Sequence, residues 1–198
     1  MRTIDDIAAL EALYGEAHPL SLAKVVDRLT PAYRRWVEGA RFVVVSTVGP
    51  EGTDASPRGD DGPVVRVIDE ATLWLPDWRG NNRLDTLRNI VRDGRISLMF
   101  MANGHDNVVR INGTARLLAD EAATAAFERR GLTPKSVIEV RVRQVYFQCA
   151  KALMRSKLWT QQTLDLPGAG AFLAEQRPEI DAAEYDEGYP EYARTRMW

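Results

Sequence analysis

The chain has 198 residues, Lys+Arg 26 against Asp+Glu 28 for a net charge of -2, 45% hydrophobic residues and one cysteine. This fits one globular core with terminal extensions and excludes a disordered chain, a generally polybasic nucleic-acid binder, a disulfide framework and a cysteine-rich zinc site. No metal site is expected from two distant histidines, His18 and His105; the lone thiol, the lack of a bilayer-length apolar run and the lack of a leader pattern point to the cytoplasm, with no membrane or nucleic-acid partner.

The first forty residues read as helices. Ile4, Ile7, Leu10 and Leu13 recur at helical spacing until His18-Pro19, and Leu22, Val25, Val26 and Leu29 form a second stripe. Thr30-Pro31 then reads as an N-cap and first-turn proline of a third helix through Tyr33, Trp36 and Val37. At Arg41 the texture turns β-rich: strands at Phe42 to Thr47 and Ala55 to Arg58, then a hairpin of Val64 to Ile68 with Thr72 to Leu75. A helix is expected from Asn82 to Arg92, with Leu84, Leu87, Ile90 and Val91 on one face. Strands follow at Ile96 to Met101, Asn107 to Leu118 and Ser136 to Gln148, with a helix at Ala122 to Arg130 and a short helix or turn at Cys149 to Lys157. The pattern divides the chain into a helical extension (1–40), a β domain (41–160) and a tail of helix and loop (161–198). It lacks regular βαβ alternation, so a small antiparallel barrel with outer helices is expected, mainly β with α.

Of the 26 basic residues, 22 are arginine, the side chain suited to planar, bidentate grip on phosphate and carboxylate. In Leu75-Pro76-Asp77-Trp78-Arg79-Gly80-Asn81-Asn82-Arg83 a strand ends, a glycine loop turns and a helix begins. Free N–H groups at that helix start, with Arg79, Asn82 and Arg83, compose an anion site; a plain connection with solvated arginines is the other reading. Arg58, before Gly59, is a second anion ligand or part of a polar turn, and the adjacent Asp60 and Asp61 read as a solvated loop. Asn112-Gly113 is a hairpin or a bulge in one long strand, and Arg110 beside it needs solvent or an anion. Cys149 reads as a packed structural thiol. Lys151 and Arg155 share a helical side, as either a solvated face or an anion contact, while Trp159 plugs the core or stacks on a ring.

Three segments, taken in order, resemble a bacterial subgroup of the flavoproteins related to pyridoxamine 5'-phosphate oxidase, the FMN-binding split β-barrels. They are Ser56 to Asp60 (Ser-Pro-Arg-Gly-Asp), Pro76 to Ile90 (Pro-Asp-x-x-Gly-Asn-x-Arg-Leu-Asp-x-Leu-x-Asn-Ile) and Cys149 to Trp159 (Cys-Ala-Lys-Ala-x-x-Arg-Ser-x-x-Trp). The resemblance covers about residues 41–160. It implies a homodimer with FMN at the subunit interface, and an α+β fold of an antiparallel split barrel with N-terminal and peripheral helices. In this family Arg79, Asn82 and Arg83 would hold the FMN phosphate, with Arg58 beside them. Leu75, Pro76 and Arg110 would lie along the flavin and ribityl chain, and Gln148, Lys151, Arg155, Ser156 and Trp159 would come from the other subunit or rim the site. The implied function is an FMN-dependent oxidoreductase of unknown small-molecule substrate; the alternative is a non-catalytic flavin-binding or sensor protein. A split barrel using a deazaflavin or haem is a third reading, although neither histidine has a haem-motif context. The oxidases themselves carry a basic Arg-Leu-x-x-Arg-like pair after a Trp-Gln-Gly strand end. Here Phe147-Gln148-Cys149-Ala150-Lys151 stands there and no such pair follows, so no substrate and no catalytic side chain is assigned.

Overall fold

Residues that alternate between apolar and polar from Arg41 onward form strands, and the residues that interrupt them form short helices. The computed structural model describes residues 1–160 and 163–198; the first two positions of the expected tail lie outside the described residues. In chain order the elements are α1 (Ile7–Tyr14), α2 (Pro19–Ala23), α3 (Pro31–Gly39), β1 (Phe42–Gly49), β2 (Gly52–Gly59), β3 (Arg66–Asp69) and β4 (Thr72–Asp77). There follow α4 (Asp85–Arg92), β5 (Arg95–Met101), β6 (Val108–Leu118), α5 (Glu121–Ala125), β7 (Ser136–Gln148), α6 (Lys151–Ser156), α7 (Ala169–Gln176) and α8 (Ala182–Arg194).

All strand pairs are antiparallel, in one sheet of order β2-β1-β5-β6-β7-β4-β3. The sheet curls until β2, at one edge, faces β4 near the other, where Arg58 Nη1 donates to Asp77 Oδ1 at 2.8 Å. Inside the curl lie Val43, Val45, Leu73, Leu75, Leu98, Phe100, Ile111, Ile138, Val140 and Val145, each essentially without solvent contact. Period-2 patterning sends these to one face and their neighbours outward. Helix α4 seals one end through Ile90 and Asn89, whose Nδ2 donates to Thr47 Oγ1 at 3.2 Å. No helix among the described residues is long and apolar enough to cross a membrane.

Several local expectations change. The stripe from Leu22 to Leu29 is helical only to Ala23. Val26 instead bridges Val145, exchanging backbone bonds of 3.0 and 2.7 Å, because β7 runs past the end of its pairing with β4 at Arg141 and leaves backbone groups there to be satisfied. The helix expected from Asn82 begins at Asp85, since Asn82 (φ 59°) and Leu84 (φ 64°) adopt left-handed backbone. Asn81 Oδ1 accepts from the Arg83 N–H at 3.1 Å, a local turn that competes with helix. The helix expected at Ala122 to Arg130 is the short α5, ended by a turn in which Arg129 and Leu132 bridge around Gly131 (φ 78°). Asn112-Gly113 resolves as a bulge: the β6–β7 register shifts between these residues, and a β-carbon at Gly113 would overlap the Arg141 carbonyl oxygen.

Candidate functional site

The lips of the seam are the ends of β2 and β4, and each carries a proline. Pro57 and Pro76 have no N–H to offer, so neither lip can donate a backbone ladder bond at those positions, which suits strands that must stop short of pairing. Between them lies a cavity of about 180 Å³, whose walls include Arg58, Gly59, Leu75, Pro76, Arg79, Gly80 and Met197. Four of the residues singled out in the sequence, Arg58, Leu75, Pro76 and Arg79, therefore meet in one place. The space is smaller than the roughly 300–1,000 Å³ of ordinary small-molecule pockets, so it fits one end of a ligand rather than the whole.

Arg58 is the electrostatic centre of this cavity. Its side chain is 25% exposed and that of Asp77 15% exposed. Burial pushes the Asp77 carboxyl above its ordinary pKa, against the pull of the Arg58 charge and hydrogen bond and of Lys135. While Nη1 serves Asp77, Arg58 Nε is buried and has no hydrogen-bond partner. A buried guanidinium N–H left unpaired costs free energy that an incoming acceptor would recover. An anion entering the seam meets the partly exposed guanidinium of Arg58, with Arg79 exposed on the rim and Gly59 and Gly80 allowing close backbone approach.

Beside the cavity, Asp60 is 7% exposed at the side chain, accepts from Trp78 Nε1 at 3.3 Å and forms an ion pair with Arg129 Nη2 at 3.0 Å. Asp61 takes Nη1 of the same guanidinium, and that hydrogen bond holds its carboxyl below the usual range. The two carboxylates expected to form a solvated loop instead converge on one arginine. Asn82 and Arg83 stand outside the cavity; Arg83 is 78% exposed at the side chain and its Nε donates to Asp85 Oδ2 at 2.9 Å.

The other candidates form a second group at the far end of β7. Arg110 lies over the Tyr146 ring at 5.5 Å, and its Nη1 donates to Gln148 Oε1 at 3.4 Å. Trp159 Nε1 donates to the His105 carbonyl at 2.9 Å, and the His105 ring meets Trp36 edge-on at 5.1 Å. Lys151 and Arg155 are exposed on α6, where Ser156 Oγ donates to the Leu153 carbonyl at 3.0 Å. Pro76 pairs with Val137 and Arg110 with Tyr146 on the same strand. Nine residues of β7, roughly 30 Å of chain at ~3.3 Å per residue, lie between these two pairings.

Sequence reasoning missed Asp77 as the partner of Arg58, Arg129 as the clasp of Asp60 and Asp61, and the return of Met197 and Trp198 to the seam. Trp198 meets Trp78 edge-on at 5.5 Å. Asp77 sat inside the quoted motif, but its pairing depends on closure of the sheet. Nothing local marks the others.

A curled antiparallel sheet, open along a proline-lipped seam with a half-satisfied buried arginine in it, defines a split barrel suited to grip an anionic group. The sequence profile of pyridoxamine 5'-phosphate oxidase matches residues 29–149, more than half of the chain. The chain belongs to that family. Its fold is similar to that of a HupZ variant from Group A Streptococcus, at 22% identity and TM-score 0.51 over 61% of this chain and 99% of that one. An FMN-binding protein from Syntrophomonas wolfei aligns at 13% identity and TM-score 0.45 over 71% of this chain and 97% of its own. General Stress Protein 26 from Bacillus anthracis aligns at 15% identity and TM-score 0.44, over 58% and 88%. No curated protein matches the chain.

Proposed function

We propose that the protein is an FMN-dependent oxidoreductase of the pyridoxamine 5'-phosphate oxidase-like type, acting on a small molecule and holding FMN between two copies of the chain. The observation that carries this reading is the half-buried Arg58 guanidinium, its Nε without a partner, in the wall of a cavity sized for one end of a ligand. In it, Arg58 and Arg79 take the FMN phosphate, with Asn82 and Arg83 on the loop beside it and Leu75 and Pro76 as an apolar wall. Asp77 holds Nη1 of Arg58 in place and leaves the rest of the guanidinium for the anion. The separation of the two groups along β7 supports a site made by two subunits: Arg110, Gln148, Lys151, Arg155, Ser156 and Trp159 of one copy serve the seam of the other. When bound, FMN supplies the capacity to accept a hydride, and the protein supplies grip, orientation and exclusion of water.

The test is subunit complementation. Arg58→Gln protein and Lys151→Ala/Arg155→Ala protein each lose FMN, read from the flavin absorbance that stays with the protein on desalting. Refolded together, mixed dimers regain one intact site and part of the flavin. Unchanged FMN affinity in Arg58→Gln refutes the phosphate site, and failure of the mixture to regain flavin refutes the shared one. Anaerobic bleaching of the flavin by a reduced nicotinamide or a candidate substrate establishes the oxidoreductase; flavin that is retained but never bleached identifies a binding protein instead.

A further inference from the structure

We propose that the segment after α8, Thr195 to Trp198, is a cover over the seam cavity, latched by Trp198, and that it sets the rate at which a phosphate-bearing ligand enters and leaves. The inference rests on the FMN reading above but concerns residues beyond the family match, which ends at 149. Helix α8 packs against α7 where Gly170 meets the Ala182 backbone so closely that a β-carbon there would overlap it. This fixes the first turn of α8, and the segment leaves from the opposite end of that helix. Beyond α8, Met197 forms part of the cavity wall.

The latch is a closed ring of side chains. Trp198 meets the edge of Trp78 at 5.5 Å and 81°, and the Arg129 guanidinium lies 4.2 Å from the Trp198 ring centre. Arg129 is tied to Asp60, and Asp60 accepts from Trp78 Nε1, which closes the circuit on the loop that bears Arg79 and Gly80. Whatever occupies the seam therefore lies under a lid whose clasp is built into the same loop.

The attachment is also light. Arg196 spends its hydrogen bonds on its own stretch, to the Tyr192 carbonyl at 3.3 Å and Thr195 Oγ1 at 2.9 Å, and its backbone N–H goes to Ala193. Met197 remains 52% exposed. An aromatic edge contact and a cation–π contact on a half-exposed surface are each modest, so the cover opens without disturbing the core. A rigid wall would slow only release, whereas a cover slows entry and release together.

The experiment follows FMN binding and release by stopped-flow quenching of flavin fluorescence in wild-type, Trp198→Ala and Trp198→Phe proteins, with thermal melts as a control. Trp198→Ala is expected to release FMN about tenfold faster, the scale set by losing both ring contacts, with faster binding and a melt lowered by only about 2–4 °C. Trp198→Phe, which keeps an aromatic edge, should fall between. A Trp198→Ala protein with wild-type rates overturns the cover while leaving the FMN site standing, and faster release without faster binding reduces it to a wall. Wild-type protein that binds no FMN overturns the functional reading itself, and the cover with it.

Discussion

Replacing Arg58 with glutamine removes the cation that faces Asp77 at 2.8 Å and leaves a carboxyl whose side chain is only 15% exposed. Breaking a fully enclosed ion pair costs about 3–5 kcal/mol, because the surviving charge is buried without a partner. Arg58 is 25% exposed, so water and the new amide recover part of this, and the expected loss is about 1.5–3 kcal/mol near neutral pH. Asp77→Asn is a different perturbation. It keeps an acceptor for Arg58 Nη1 and removes a charge that burial already disfavours, so its cost should stay below about 1 kcal/mol. The pH dependence separates the two further. Burial is the largest influence on Asp77 and raises its pKa; the Arg58 charge and hydrogen bond oppose it. Without Arg58 the folded-state pKa climbs further above the unfolded value, so the folded protein holds a proton that the unfolded chain releases. The penalty is therefore complete above the folded pKa and shrinks as the pH falls through it. Urea unfolding of wild-type, Arg58→Gln, Asp77→Asn and the double variant, at about pH 5 and about pH 8, measures this directly. The reasoning is refuted if Arg58→Gln is equally destabilised at both pH values, or if Asp77→Asn costs as much as Arg58→Gln.

Two further predictions concern the frame around the site. Gly113→Val places a branched side chain against the Arg141 carbonyl at the β6–β7 bulge, and the strand must shift to make room. The expected loss is about 2–4 kcal/mol by denaturant unfolding. Burial raises the Glu139 pKa, but hydrogen bonds from Trp74 Nε1 (3.0 Å) and Arg116 Nε (2.6 Å), with the charges of Arg116 and Arg141, together outweigh it and hold the carboxyl below the ordinary value. Its contribution is present above the unfolded pKa and lost as the pH falls through the folded one. Glu139→Gln should cost about 1 kcal/mol at neutral pH, modest because Arg116 is 72% exposed, and the deficit should vanish under acid in melts across the pH range.

The strands were legible because alternation is a local property that a sheet uses directly: Ser136 to Gln148 reads as one strand and is one, and Phe42 to Thr47 differs from β1 only at its end. Helix limits were less legible. Leu84 in left-handed backbone carries no signal in its side chain, and Val26 follows a helical period yet serves a sheet bridge supplied by Val145, more than a hundred residues away. The same division governs the site. Arg58, Leu75, Pro76 and Arg79 could be found because each ends a strand or opens a loop next to glycine or proline. What sequence could not do was rank the arginines. Arg58 and Arg83 both sit within two residues of an aspartate, at the edge of a strand or a loop, and look alike as text. One ends half-buried with an unpaired N–H and the other 78% exposed on its neighbour Asp85, and the cause is non-local: β2 curls back onto β4 and encloses the first but not the second. Desolvation makes a guanidinium hold an anion strongly rather than shed it to water. Closure of the sheet, and not the arginine excess, is what sets Arg58 apart from Arg83.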